Sequence, residues 1–249
     1  MRVEPPGVLL GSSAPIQRLR ALLPRLAAAD SGVLIIGEPG TGREELARLV
    51  HEAGPRRAGP FSVVGCPGLT VSEEFDELFG GPGLPGLVET CAAGSIYLAS
   101  VDERPGVLQN RLARYVEDAA HGAVASAPRL IGSARRDLAR RVEQGRFRED
   151  LYYRLSVITL RMPPLRERRE DIPEMARHLL EEAGRVLGKH FEGISAEALG
   201  LLTAHRWNGN LAELAAAIQR AAIIETSSWL QANSLPDSVR AARPLAVAS

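Results

Sequence analysis

The stretch "SGVLIIGEPGTGREELARLVHEAG", residues 31–54, constrains the fold more than any other part of the chain. It opens with a short continuous apolar run, the pattern of a strand buried on both faces of a parallel sheet. Helix formers follow the glycine-rich turn, with acidic residues in the first turn and Gly54 as a stop. Strand, glycine loop and helix make one βα unit. In that context Gly37, Gly40 and Gly42 let backbone N–H groups converge on phosphate oxygens, and the helix opening near Arg43 aims its positive end at the same anion. The candidate phosphate loop is Gly37, Glu38, Pro39, Gly40, Thr41, Gly42, Arg43 and Glu44. Such loops usually end in Lys followed by Ser or Thr, where this one has Arg43 and Glu44. Arginine keeps the charge, but its planar fork is bulkier than an ammonium and need not fit a cradle built for a point charge. That puts hydrolysis in question more than binding. A bland alternative stays open at this point, in which the glycines only make a tight turn between strand and helix.

Four further apolar runs read as strands: "PFSVVGC" (60–66), "GSIYLAS" (94–100), "PRLIGSA" (128–134) and, as the fifth strand, "LYYRLSVITLRMPPL" (151–165), ended by Pro163 and Pro164. Helical spacing runs from Ile16 to Leu26, and helical or irregular stretches separate the strands. The alternation implies an α/β domain with a parallel sheet covered on both faces. Beyond it only helical patterns are expected: residues 169–188, 195–207 with Ser195 as a helix cap, and 210–225. The expected division is a core over 1–165, a small α-helical domain over 166–230 and a tail or linker over 231–249, with a hinge near 163–168.

Thirty basic and thirty acidic side chains cancel, so the charge balance argues for no polyanion or membrane-surface partner. Cys66 and Cys91 lie outside any ligand spacing and read as small core residues of a reducing compartment. No apolar run has the length of a signal peptide or a membrane span, so a cytoplasmic location without a membrane is expected.

Several stretches together resemble the AAA+ module of bacterial enhancer-binding proteins, the ATP-driven activators of the sigma-54 form of RNA polymerase. They are the region around the phosphate loop, "ELFG" (77–80), the long string "GRFREDLYYRLSVITLRMPPLRERREDIPEMARHLL" (145–180) and "RWNGNLAELAAAI" (206–218), which is similar to the family's lid motif. The likeness runs from about residue 8 to about residue 226. It implies an AAA+ P-loop core with a C-terminal α-helical lid, assembled as a ring with ATP between subunits. It also implies that Arg148 and Arg154 act as trans arginine fingers, meeting the charge that develops on a neighbour's γ-phosphate. The plainer reading pairs these arginines with Glu149, Asp150 or Glu167 on a solvated helix.

Against that family the chain departs at several places. After Leu98, Ala99 and Ser100 stand where the family has Asp and Glu, the pair that holds Mg²⁺ and polarises the attacking water. A methyl does neither, and a hydroxyl is a poor base at neutral pH. Asp102 and Glu103 lie past the strand end, out of register for that task. The segment after "ELFG" lacks the pore loop that touches sigma-54, and "AAHGAVASAP" (119–128) shortens a second insertion. Arg135 stands at a position where the family usually has Asn, and Ala212 where it has a nucleotide-sensing Arg.

The expectation is therefore a sigma-54-activator-like AAA+ protein that binds ATP or ADP weakly, has no competent catalytic pair or metal site, and leaves Mg²⁺ in doubt. It acts in transcription regulation through association, as a homo- or hetero-oligomer of AAA+ subunits. Sigma-54 contact is in doubt without the pore loop. Neither a DNA-binding domain after residue 226 nor a receiver before residue 8 is expected. Two alternatives stay open: a working ATPase and activator in which Asp102 or Glu103 recruits Mg²⁺, and a scaffold that binds no nucleotide.

Overall fold

The computed structural model describes residues 9–65, 69–124, 126–135 and 137–241. The chain forms two compact units: one contains Leu9, residues 19–38 and 42–162, and the other residues 10–18, 39–41 and 163 onward.

The first unit is built on five parallel strands, β1 (Val33–Ile36), β2 (Phe61–Val64), β3 (Ser95–Leu98), β4 (Arg129–Ala134) and β5 (Ile158–Arg161), in the order β2-β3-β4-β1-β5. Apolar content sets each strand's place. β1 and β3 are buried at every position, whereas the edge strands β2 and β5 are only partly buried. An interior strand has helices against both faces and so takes apolar side chains on both. The helices are the C-terminal part of α1 (Ala14–Ala28), then α2 (Arg43–Glu52), α3 (Val71–Phe79), α4 (Leu87–Thr90), α5 (Gly106–Ala120), α6 (Leu138–Glu143) and α7 (Glu149–Leu155). Leu34, Ile96 and Leu98 of the sheet meet Leu108, Leu112, Leu151 and Leu155 of the helices in one core. Thr70 and Glu73 start α3 as a reciprocal capping box.

One expectation is corrected here. Residues 151–155 are helix, and the fifth strand occupies only Ile158–Arg161. Glu149 and Asp150 in the first turn, with Leu151 and Leu155 buried four apart and Tyr153 and Arg154 exposed, give this stretch a helical period.

The second unit packs α8 (Ile172–Leu187), α9 (Ala196–Ala204) and α10 (Asn210–Ile224) around Trp207, Leu180, Leu202, Leu214 and Ile218. Ser195 caps α9, its hydroxyl accepting from the Ala198 amide at 3.3 Å. Residues 10–18 join this unit through Asp171, whose buried carboxylate accepts the Ser12 and Ser13 amides and the Ser13 hydroxyl, each at 2.7 Å. Gly11 permits that approach: its φ is +125°, and a Cβ there would lie 2.6 Å from the Asp171 carboxylate.

The unit is not helical throughout. β6 (Gly193–Ile194) and β7 (Trp229–Leu230) pair in parallel. Residues 231–241, expected as tail, instead carry a 3₁₀ turn and α11 (Asp237–Arg240), with Leu235 and Val239 in the core. Too few apolar residues occur there to show a period, yet Ala232, Leu235 and Val239 are buried.

Cys91 is buried and free, 3.0 Å from the Ser62 hydroxyl, while Cys66 lies outside the described residues. Among the described residues no helix is long and apolar enough to cross a membrane.

Candidate functional site

The phosphate loop follows β1 directly. The Gly37 amide donates to the Ala134 carbonyl at 3.0 Å, continuing the ladder between β1 and β4. It therefore serves the sheet and does not converge on an anion with the other glycine amides, which corrects the reading of Gly37. Gly40 and Gly42 do adopt the left-handed backbone, at φ +74° and +99°. Gly42 is the N-cap of α2 and brings no side-chain cap, so the first amides of that helix have no capping side chain. Arg43 opens the helix half-buried, and its Nη1 has no hydrogen-bond partner among the described residues. A buried guanidinium nitrogen left in that state is a donor in want of an acceptor.

Three consecutive carbonyls of the loop are held within the second unit. Pro39 O accepts from Asn210 Nδ2 at 3.0 Å, Gly40 O from the Leu211 amide at 2.8 Å, and Thr41 O from Arg168 Nη2 at 2.9 Å. The N–H and C=O of a trans peptide point in opposite directions, so the amides of Gly40, Thr41 and Gly42 face away from these donors. An anion nest requires amides so turned. Gly40 has no room for a side chain, since a Cβ would lie 2.3 Å from the Gly209 carbonyl and 3.1 Å from the Ala212 methyl. Asn210 is buried at φ +55°, and its Oδ1 also accepts from the Leu165 amide at 2.8 Å. Sequence reasoning found Ala212 but missed Asn210, Leu211 and Arg168. The only local signal was "NGN" at 208–210, a tripeptide suited to left-handed backbone.

At the tip of β3 the chemistry is different. Ala99 N donates to Val64 O, and Ser100 sits in left-handed backbone with its amide on the Ser133 hydroxyl at 3.1 Å. The same hydroxyl accepts from Tyr97, whose own proton is held up to about 12 by burial. Asp102 is buried, accepts from the Arg135 amide and faces Arg141, while Glu103 pairs with Arg135 at 3.1 Å. Both acids line a cleft of about 620 Å³ together with Arg140 and Arg146. Arg104, also buried, reaches back so that its Nη2 donates to Ala99 O at 3.0 Å and Val64 O at 3.2 Å, and its Nη1 pairs with Glu74 of α3. Burial lowers the Arg104 pKa to about 10, which leaves it charged at neutral pH.

Mg²⁺, which the family resemblance implies, does not fit these residues. A hard dication requires several oxygen ligands. Here the tip offers a methyl and a hydroxyl, and its carbonyls and nearby carboxylates are engaged by arginines. No cluster of metal-ligating side chains occurs among the described residues.

Arg148 and Arg154 lie at opposite ends of α7. Arg148 is half exposed and forks onto Asp150, with Nη1 on Asn110 Oδ1 at 2.9 Å. The hydrogen bond from Arg148, with its charge, lowers the Asp150 pKa. Arg154 is exposed. Where a pore loop would follow Phe79, the chain makes a tight turn with Gly81 bridged to Leu84 and enters α4 at Leu87.

Two family models match, the sigma-54 interaction domain over residues 9–161 and the AAA+ ATPase lid domain over 166–248. The nitrogen assimilation regulatory protein NtrX of Azorhizobium caulinodans is 34% identical over 96% of this chain and 56% of its own length. The DNA-binding transcriptional regulator NtrC of Rhizobium meliloti is 36% identical over 85% of this chain and 47% of its own length. Crystal structures of NtrX from Brucella abortus with ADP and with ATP superpose at TM-scores of 0.85 and 0.83. Each is 31% identical, and they cover 96% and 94% of this chain and 57% of their own. The chain spans about half the length of the curated relatives it matches. An α/β core carrying a glycine-rich loop after its first strand, a helical second unit and these matches place the chain in the sigma-54 interaction domain family of AAA+ proteins.

Proposed function

We propose that the chain is a nucleotide-binding AAA+ module impaired in hydrolysis, acting in transcription regulation by associating with other AAA+ subunits. The amides of Gly40, Thr41 and Gly42, with Arg43, take the phosphates, while Glu38, Pro39 and Glu44 shape the loop. The homologous NtrX, solved with ADP and with ATP, supports nucleotide as the ligand class. The observation that carries the loss of hydrolysis is the tip of β3. Ala99 and Ser100 offer nothing to polarise a water, and Asp102 and Glu103 are already held by arginines. That commitment also argues against a working ATPase built on those two acids.

Arg148 and Arg154 have exposed side chains at the ends of α7, where they are offered to a neighbouring subunit's nucleotide once Asp150 releases Arg148. Contact with sigma-54 is not expected through the short turn at Gly81–Leu84. Binding of fluorescent ATP and ADP, run beside a phosphate-release assay on the same sample, tests the reading. Binding without release is expected. Release above that of an Arg43→Ala control would restore the ATPase reading, and unchanged melting in excess nucleotide would leave a scaffold. Mixing with an active relative tests the fingers: stimulated turnover lost in Arg148→Ala supports association, and no co-assembly by sizing rejects it.

A further inference from the structure

We propose that Arg104 is an internal cation standing where a divalent metal would be needed, so that the chain takes ATP or ADP as the metal-free anion. This deepens the nucleotide-binding reading and rests on it.

Arg104 leaves the 3₁₀ turn after β3 and is buried. Its Nη2 ties the last carbonyl of β2, Val64 O, to Ala99 O beyond β3, and its Nη1 faces the Glu74 carboxylate. A hard cation would seek oxygens of this kind, and all three are bonded to the guanidinium. Gly65 locates the charge more closely. A Cβ on Gly65 would lie 2.6 Å from Arg104 Nη2 and 3.3 Å from the Ala99 methyl, so the cation and that methyl flank one point. A dication held at residue 99 would face a buried positive charge across that point, where water screens little.

The geometry also says what a simple repair would do. A carboxylate introduced at position 99 meets the Arg104 guanidinium and pairs with it, because charge-assisted bonds to arginine are strong and already aligned there. Restoring the acidic pair alone therefore leaves the metal unbound, and removing Arg104 as well makes the tip available. In the native chain, affinity for nucleotide resides in the loop amides and Arg43.

The test is titration of a fluorescent ADP analogue into the full chain in excess EDTA and in excess Mg²⁺, with Mn²⁺ paramagnetic resonance of the same samples. Three proteins are compared: wild type, Ala99→Asp/Ser100→Glu, and that double variant with Arg104→Met added. For wild type and the double variant, Mg²⁺ is expected to leave affinity unchanged or to weaken it by sequestering free nucleotide. In the triple variant Mg²⁺ tightens binding by about fivefold or more, and bound Mn²⁺ becomes visible. Tightening of the wild type by Mg²⁺ overturns the inference, as does a double variant that gains metal as well as the triple one, or a folded triple variant that gains none. Should the triple variant misfold, the first two proteins still decide. Absence of binding in either buffer rejects the nucleotide-binding reading itself, which separates the two failures.

Discussion

The phosphate loop and the tip of β3 are built from different parts of the chain's chemistry. The loop carries Arg43 where such loops usually have lysine, Gly40 and Gly42 take the left-handed backbone, and the carbonyls are anchored at Pro39, Gly40 and Thr41. The strand tip has its place in the sheet and carries Ala99, Ser100 and Arg104. The difference lies in what each site is made of. An anion nest is built from main-chain amides, which survive side-chain substitution as long as the backbone conformation survives. Water polarisation and metal binding are side-chain properties, and the proposed loss of hydrolysis rests on two side chains, Ala99 and Ser100.

The largest effect that would break this contrast is expected at Gly40. Gly40→Val introduces a Cβ onto the Gly209 carbonyl at a φ that β-branched residues avoid, and should cost about 3 kcal/mol or more in urea unfolding, with loss of nucleotide binding. A well-folded, binding-competent variant would show that the backbone does not define the loop. Asn210→Leu removes the partners of Pro39 O and the Leu165 amide together. It is expected to cost about 2–4 kcal/mol and to weaken nucleotide binding even though position 210 lies far along the chain from the loop.

Glu225 sharpens the contrast as an internal control, a carboxylate cradled largely by amides. It accepts from Thr226 N, Ser227 N and Gln231 N and from the hydroxyls of Ser227 and Ser234. Burial alone would raise its pKa, but these bonds outweigh burial and hold it at about 2. A depressed folded-state pKa stabilises above the ordinary value of 4.5 and is lost as pH falls through about 2. Glu225→Gln should therefore melt lower at neutral pH, by about 1–3 kcal/mol, with the gap to wild type closing across that window. A gap independent of pH would contradict the cradle. The smallest effect belongs to Arg148→Ala, whose exposed pairing with Asp150 is worth less than about 1 kcal/mol to the isolated chain. A larger loss in thermal melting would mean that Arg148 serves the fold and not a neighbour.

Legibility in the sequence followed the same division. The buried strands β1 and β3 were plain as apolar runs, and the glycine loop was plain from its position after β1. The stretch 151–155 misled because it runs on into a true strand, and its helical period shows only when Leu151 and Leu155 are paired. Residues 231–241 were illegible because Leu235 and Val239 take their burial from α9 and α10 and not from a period of their own. At the site, Ala99 and Ser100 can be read directly against the family, but no local signal marks Arg104.

By itself the sequence determined the βα order, the five-stranded α/β core and the mainly helical second unit, because burial on a strand or helix is written as local period. Tertiary structure alone decided that Gly37 serves the sheet, that Asn210 and Arg168 hold the loop, and that Arg104 turns inward to Glu74. Those choices join residues distant along the chain, and a buried polar group takes whichever partner packing brings within bonding distance.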